Sequence, residues 1–175
     1  MILETPRLGL RSWQESDAEA FAAMNADPEV MWDLGGPIGR AESDAKLSRY
    51  RSSHDRDGVG RWVIESRDGE FLGYAGVMFH PDHPIGAHYD IAWRLVRHAW
   101  GYGYATEAAS AALRDAFTRI GLAEVLAYTA ADNLRSQKVM ARLRLQRDSS
   151  RDFTARYGAN DWNGFVWVAR SELYA

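Results

Sequence analysis

The sequence predicts a single domain of the α/β or α+β class spanning residues 1–175, and three observations lead there. With 175 residues, 46% of them hydrophobic, the chain can bury one core but hardly two. Three strand-like runs, Trp62 to Ser66, Phe71 to Phe79 and Tyr89 to Val96, follow one another with no helix between them, which describes an antiparallel meander. The run from Tyr104 to Ile120 then places Ala105, Ala108, Ala109, Ala112, Leu113, Ala116, Phe117 and Ile120 at helical spacing, a small-residue face suited to lying close on a sheet.

Taken in order, Arg7 to Trp13 alternates as a first strand. Ser16-x-x-Glu19 reads as a capping box ahead of Ala20, Phe21, Ala23 and Met24, so a short helix follows, closed by Asp27-Pro28. After the Gly35-Gly36-Pro37 turn, Ala41 to about His54 is polar and helix-prone, with Leu47 and Tyr50 as its apolar points, and is expected to be a loosely anchored surface helix. Asp68-Gly69 signals a hairpin inside the meander, and Gly121 ends the alanine-rich helix. Val125 to Ala130 is the next strand and Leu134 to Leu145 the next helix. Phe165 to Ala169 is the last strand, after a polar loop rich in Arg, Asp and Ser.

Composition excludes several chemistries. The chain has no cysteine, so neither a disulfide framework, a thiolate nucleophile nor a cysteine-ligated metal is available. A net charge of -3 argues against general nucleic-acid binding, which needs a basic face. The opening MILETPRLGLRSW lacks a basic segment followed by an apolar one, and no run approaches the roughly 20 apolar residues of a membrane span, so the expectation is a soluble, cytoplasmic protein with no membrane partner. No nucleophile-elbow motif supports a serine hydrolase.

The most informative stretch is His98-Ala-Trp-Gly101-Tyr-Gly103-Tyr-Ala105-Thr106-Glu107. Glycines where a strand enters a helix leave amide N–H groups pointing at one place, reinforced by the helix dipole, and favour a phosphate or pyrophosphate. A dinucleotide fingerprint requires a small residue where Thr106 stands, and a phosphate-binding P-loop requires a Gly-Lys-Ser/Thr tripeptide that does not occur. His80, Asp82, His83 and His88 are metal-ligand types, but their prolines and glycine describe a loop between strands with no second ligand cluster; no metal is expected.

His98-x-x-Gly101-x-Gly103 resembles the Q/R-x-x-G-x-G/A pyrophosphate loop of the GNAT N-acetyltransferases, and Gly-Tyr-Ala-Thr-Glu-Ala after it looks like their RimJ/RimL branch. Leu3-Glu-Thr-Pro-Arg-Leu-x-Leu-Arg11, Asp27-Pro-Glu-Val-Met31 and Asn133-x-x-Ser136-x-x-Val139-x-x-Arg142-Leu143 are similar to the same branch, so the resemblance covers nearly the whole chain. It implies a mostly antiparallel twisted sheet of about seven strands flanked by four helices, with a splay between the fourth and fifth strands that holds acetyl-CoA. By that resemblance the backbone from His98 through Tyr102 to Gly103 contacts the pyrophosphate, with Ala105 and Thr106 nearby. The pantetheine arm pairs with the edge of Trp93 to Val96. His98 stands for the usual Gln or Arg, and Arg144-Leu145 for a common Gly-Phe.

The activity so implied is acetyl transfer from acetyl-CoA to a primary amine, a peptide N-terminus or a small molecule, by direct attack in a ternary complex. The amine must be neutral to attack, yet α-amino groups titrate near about 8 and lysines near about 10.4, so help with deprotonation is useful. Asp90 matches the acidic residue some members use as base, and is otherwise an ordinary strand-end carboxylate. Many members place a tyrosine where Met140 stands, so Ser136 is the next candidate to protonate the leaving thiolate. Asn133 either binds the amides of CoA or caps the helix. The amide of Leu95 or Val96 is expected to stabilise the thioester oxygen. Trp32, with Trp93, Trp100 and Trp162, falls near the expected acceptor cleft, and Trp32 is the one expected to line the amine pocket. The competing function is an acyl-CoA-binding module of the same fold without turnover, and the protein is expected to be a monomer or homodimer.

Overall fold

The computed structural model describes residues 2–157 and 160–174. Strands β1 (Ile2–Glu4), β2 (Leu8–Arg11), β3 (Arg61–Ser66), β4 (Phe71–His80) and β5 (His88–Leu95) pair antiparallel in that order. Strand β6 (Glu124–Thr129) joins β5 in parallel, β9 (Asn160–Arg170) joins β6 antiparallel, and β7 (Gln146–Arg147) and β8 (Phe153–Tyr157) both pair with β9. The sheet is thus mixed and mostly antiparallel, as expected, but larger than seven strands. The expected first strand is β2, preceded across Thr5-Pro-Arg7 by the unexpected β1, and the polar loop before the last strand contains β7 and β8.

Helix α4 (Tyr104–Thr118) lies on one face of β4 and β5. Ala108, Ala109, Ala112 and Ala116 are buried there with Leu113, beneath Ile64, Val77, Ile91, Val125 and Ala169. Methyl side chains let the helix backbone approach the strands, and that closeness fixes where its N-terminus points. The opposite face is covered by α1 (Ala18–Ala26), the single turn α2 (Pro28–Met31) and α3 (Arg40–Asp57). The turn α2 brings the helix count among the described residues to five rather than four. Trp13, Phe21, Tyr50 and Tyr74 pack there ring against ring at 4.8 to 6.4 Å. Among the described residues no helix is long and apolar enough to cross a membrane.

Three local expectations are corrected. The Ser16-x-x-Glu19 box does not form; the Asp17 carboxylate instead accepts the Gln14 N–H at 2.7 Å and is held by Arg11 at 2.8 Å. Helix α3 is better anchored than its polarity suggests, because Ser43 and Ser53 are buried beside Leu47 and Tyr50, and Asn25 Nδ2 donates to Ser43 Oγ at 2.9 Å. Helix α5 (Leu134–Arg142) stops three residues short of Leu145. Its end is a Schellman motif, with Leu145 N–H donating to the Met140 carbonyl and Arg144 N–H to that of Ala141, both at 3.0 Å.

Arg144 occupies the left-handed position of that motif at φ +57°, where a glycine is favoured. Its side chain is exposed, so replacement removes little packing. Left-handed backbone costs a non-glycine residue roughly 1–2 kcal/mol, partly offset by the greater freedom glycine has when unfolded. Arg144→Gly is therefore expected to raise stability by about 0.5–1 kcal/mol. The measurement is a higher urea midpoint at unchanged slope; a lower midpoint would mean that the arginine makes a contact that matters more than the backbone.

Candidate active site

The sheet opens between β5 and β6. These parallel strands register at Asp90 and Leu126, whereas β4 and β5 remain paired from Gly73–Leu95 to His80–His88. The Val96 N–H donates to the Leu72 carbonyl at 3.1 Å. By the alternation of an antiparallel pair, even-numbered residues of β5 therefore address β4, and the backbone groups of Ile91, Trp93 and Leu95 address the opening. The Leu95 carbonyl is taken by Trp100 Nε1 at 2.9 Å, which leaves the Leu95 N–H as the donor there. Val96 is thereby corrected: its amide is engaged with Leu72, and the residue does not line the opening.

The opening forms a cleft of about 500 Å³ that continues to the start of α4. Gly101 and Gly103 take φ values of +86° and +81°, which explains why the sequence has glycine at both. Gly103 is the N-cap of α4 and supplies no side-chain cap, so the first-turn amides of Tyr104, Ala105 and Thr106 have no partner within the helix. All three residues line the cleft, and the Thr106 hydroxyl is buried there with no hydrogen-bond partner. Such orphaned donors suit an oxyanion-rich ligand.

The chain's opening residues hold this helix start from outside. Thr5 Oγ1 and Arg7 Nε donate to the two Glu107 carboxylate oxygens at 2.6 and 2.7 Å, and Arg7 Nη1 donates to the Tyr102 carbonyl at 2.9 Å. Burial alone would raise the Glu107 carboxyl, and the bonds from Thr5 and Arg7 outweigh it and hold it below its ordinary value. The Tyr102 side chain is exposed and stacks on Tyr104 at 5.6 Å, while His98 is exposed with Nε2 at 2.8 Å from Glu70. Neither His98 nor Tyr102 lines the cleft, so their side chains are not part of its wall.

The far wall comes from α5 and from the turn after α2. Asn133 Oδ1 accepts the Ser136 N–H at 3.2 Å as the helix N-cap, while its Nδ2 donates to Asp33 Oδ2 at 3.1 Å. The amide therefore already has partners at both ends, and the capping role is the one the geometry displays. Ser136, Trp93, Trp32 and Asn133 line the cleft, and Trp32 is 47% exposed. Met140, at the position of the missing tyrosine, is buried in the core. Arg94 on β5 and three cations of α5, Arg135, Lys138 and Arg142, line the cleft unanticipated, although the α5 spacing of three and four along one helix face was legible. Arg135 sits 4.4 Å over the Trp100 ring.

Asp90 requires the largest correction. It is buried and does not line the cleft. Arg61 Nη2 and His80 Nε2 lie 2.6 and 2.8 Å from its Oδ1. Burial alone would raise its carboxyl, and the Arg61 guanidinium with the His80 hydrogen bond outweigh this and hold it well below the usual carboxylate range. A carboxylate that binds its proton so weakly, with Oδ1 shared by Arg61 and His80, is a poor base. The neighbouring His80, His83 and His88 rings gather at 4.7 to 6.1 Å and pack on Tyr128 and Phe153. Among the described residues no group of three His, Asp or Glu side chains is placed to hold a metal.

Comparison with known proteins agrees with this geometry. Residues 7–146 match the family model described as an acetyltransferase (GNAT) domain. An uncharacterized N-acetyltransferase of Bacillus subtilis, YoaA, is 27% identical over 150 residues, 84% of each chain. An acetyltransferase structure from Agrobacterium tumefaciens superposes with a TM-score of 0.83 at 26% identity, covering 97% of this chain and 94% of that one. The ribosomal L7/L12 α-N-protein acetyltransferase RimL, solved with coenzyme A, has the same fold, with a TM-score of 0.76 at 15% identity over 97% of this chain and 98% of that one. The open strand pair, the uncapped helix start and the family match over most of the chain agree, and the chain belongs to the GNAT acetyltransferase family.

Proposed function

We propose that this protein is an N-acetyltransferase that moves the acetyl group of acetyl-CoA to a primary amine by direct attack within a ternary complex. The observation that carries this reading is the meeting, in one cleft, of an unpaired strand edge and an uncapped helix N-terminus. The residues fit the donor: the amides at Gly101 to Thr106 suit its pyrophosphate, the Trp93 and Leu95 backbone suits its amide-bearing arm, and Arg135, Lys138 and Arg142 suit further phosphate. Acetyl-CoA supplies an activated acyl carbon. The Leu95 N–H is aimed to hydrogen-bond an acyl oxygen in the opening. Ser136, which lines the cleft, offers a hydroxyl to hydrogen-bond the departing thiolate, which takes its proton from water. With no cysteine, an acetyl-thiol enzyme form is unavailable.

With Asp90 bound to Arg61, the amine proton leaves to water in the cleft. Met140 and the engaged Asp90 also favour a second reading, an acyl-CoA-binding module without turnover. A thermal shift separates phosphate recognition from donor recognition. At 100 times its dissociation constant a ligand adds about 2.7 kcal/mol to the native state. CoA and acetyl-CoA are expected to raise Tm, while NAD and ATP leave it unchanged. Equal shifts with all of them would refute a CoA site. Thiol release with a panel of amines then decides between the enzyme and the binding module.

A further inference from the structure

The segment from Asp27 to Leu34 is tied across the mouth of the opening by charged groups that no local pattern announces. Arg97 Nε and Nη1 bind Asp27 and Glu29 at 2.7 and 2.6 Å, at an exposed arginine. The inner tie is different in kind. Arg94 on β5, its side chain 10% exposed, donates through Nη1 to Asp33 Oδ1 at 2.9 Å and to the Val30 carbonyl. Asn133, which follows β6 and caps α5, donates to the other Asp33 oxygen at 3.1 Å. One carboxylate therefore joins the two limbs of the opening, β5 through Arg94 and the β6–α5 junction through Asn133. It stands next to Trp32, and Asp33, Arg94, Asn133 and Trp32 all line the cleft.

We propose that Asp33 is a positioning residue for the acceptor, holding the turn that carries Trp32 across the splayed strands and so setting how well the amine substrate binds. The proposal rests on the acetyltransferase reading for the identity of that substrate. The turn is short, ends at Gly35 and Gly36 with φ of +85° and +99°, and has few other internal ties, among them the Gly36 N–H to the Met31 carbonyl at 3.1 Å. Without Asp33, Arg94 loses its carboxylate partner and Asn133 loses its acceptor, and the wall bearing Trp32 keeps on its inner side the Arg94 bond to the Val30 carbonyl and the packing of Val30 and Met31. The donor side of the cleft is built from β5, the glycine loop and α5; β5 keeps its pairing with β4 and α5 its cap from Asn133 Oδ1 to the Ser136 N–H, neither of which passes through Asp33.

The test combines steady-state kinetics with amide hydrogen exchange on Asp33→Asn, Asp33→Ala and Asp33→Glu. For Asp33→Ala, KM for the accepted amine is expected to rise roughly 10- to 100-fold, the range for losing hydrogen bonds to a charged group, with KM for acetyl-CoA within about twofold. Asp33→Asn is expected to be intermediate, and Asp33→Glu to recover part of the loss. Arg94→Gln added to Asp33→Ala is expected to cost far less than it does alone, because the two side chains act through one contact. Exchange of amides 29–36 is expected to quicken in Asp33→Ala without substrate, while that of α4 is unchanged. An unchanged exchange pattern would overturn the proposal, as would equal rises in both KM values. Should no amine be turned over by the wild type, the acetyltransferase reading fails on that result, and the exchange of amides 29–36 still decides whether Asp33 holds the wall.

Discussion

Asp90→Ala is expected to destabilise the protein by about 3–5 kcal/mol, because it leaves the buried Arg61 guanidinium without its counter-charge. Arg61 is 4% exposed and also donates to the Gly76 and Asp90 carbonyls, so it has no route to solvent when the carboxylate is gone. The double change Arg61→Met with Asp90→Leu removes both charges and is expected to recover most of the loss. The pH dependence follows from the depressed Asp90 carboxyl. The unfolded aspartate titrates near about 3.9 and the folded one lower, so its contribution is fully present above about pH 4 and disappears as pH falls through the folded value. His83, pushed down to about 4 by burial and then by His88 and His80, and His88, lowered by burial, act over a different window. Groups kept neutral by the fold favour protonation on unfolding, so their contribution is full above about pH 6.5 and declines between there and about pH 4. Urea midpoints from pH 3 to 8 check this. If the acid loss below pH 4 is the same in the double variant as in the wild type, Asp90 does not supply it.

That outcome also bears on chemistry. A base held in an ion pair titrates far below the pH range in which amines lose their protons, so turnover between pH 6 and 9 is expected to carry no ionisation of Asp90. A folded Asp90→Asn variant whose rate is restored by raising pH would return Asp90 to the role of base.

The contrast between Gly103 and Asp90 shows which parts of the site were legible in the sequence. Gly101 and Gly103 are required by their own backbone angles, a constraint that sits on those residues and is written there as glycine. Helix α4 was legible for the same reason, since alanines at helical spacing record the closeness of the sheet. Asp90 was visible as a carboxylate on a strand, but its partner Arg61 lies 29 positions away, and no local period links them. Asp33 with Arg94 and with Asn133 is separated by 61 and 100 positions, so the clasp emerges only from the fold. The same distinction holds for the architecture. The meander was read from consecutive strand-like runs with no helix between them, whereas β7 and β8 lay unseen in a polar loop, because their pairing with β9 depends on Leu126, Phe153, Val166 and Val168 meeting across the sheet. The polar surface of α3 likewise concealed Ser43 and Ser53, which are buried by their neighbours rather than by their own character.

Gly103→Val is expected to lower affinity for acetyl-CoA by about 100-fold or more while the protein still folds, because the change attacks the conformation on which the helix start depends. At φ +81° a glycine has no Cβ, whereas a side chain that branches at Cβ is a marked outlier there. Space is not the obstacle, since an added Cβ would meet nothing nearer than Arg7 Nη2 at 3.6 Å. Conformation is. A valine relaxes by moving φ toward negative values, which turns the first-turn amides of Tyr104, Ala105 and Thr106 away from the cleft they share and disturbs the Arg7 bond to the Tyr102 carbonyl. Gly101→Ala meets open space at φ +86° and carries the smaller side chain, so its cost is mainly the roughly 1–2 kcal/mol of left-handed backbone, seen more in stability than in binding. Calorimetric titration of both variants with acetyl-CoA, after circular dichroism has shown each to be folded, is the measurement. Wild-type affinity in a folded Gly103→Val protein would show that the helix start does not hold the pyrophosphate, and the donor would then have to be held by the β5 edge and the α5 cations alone.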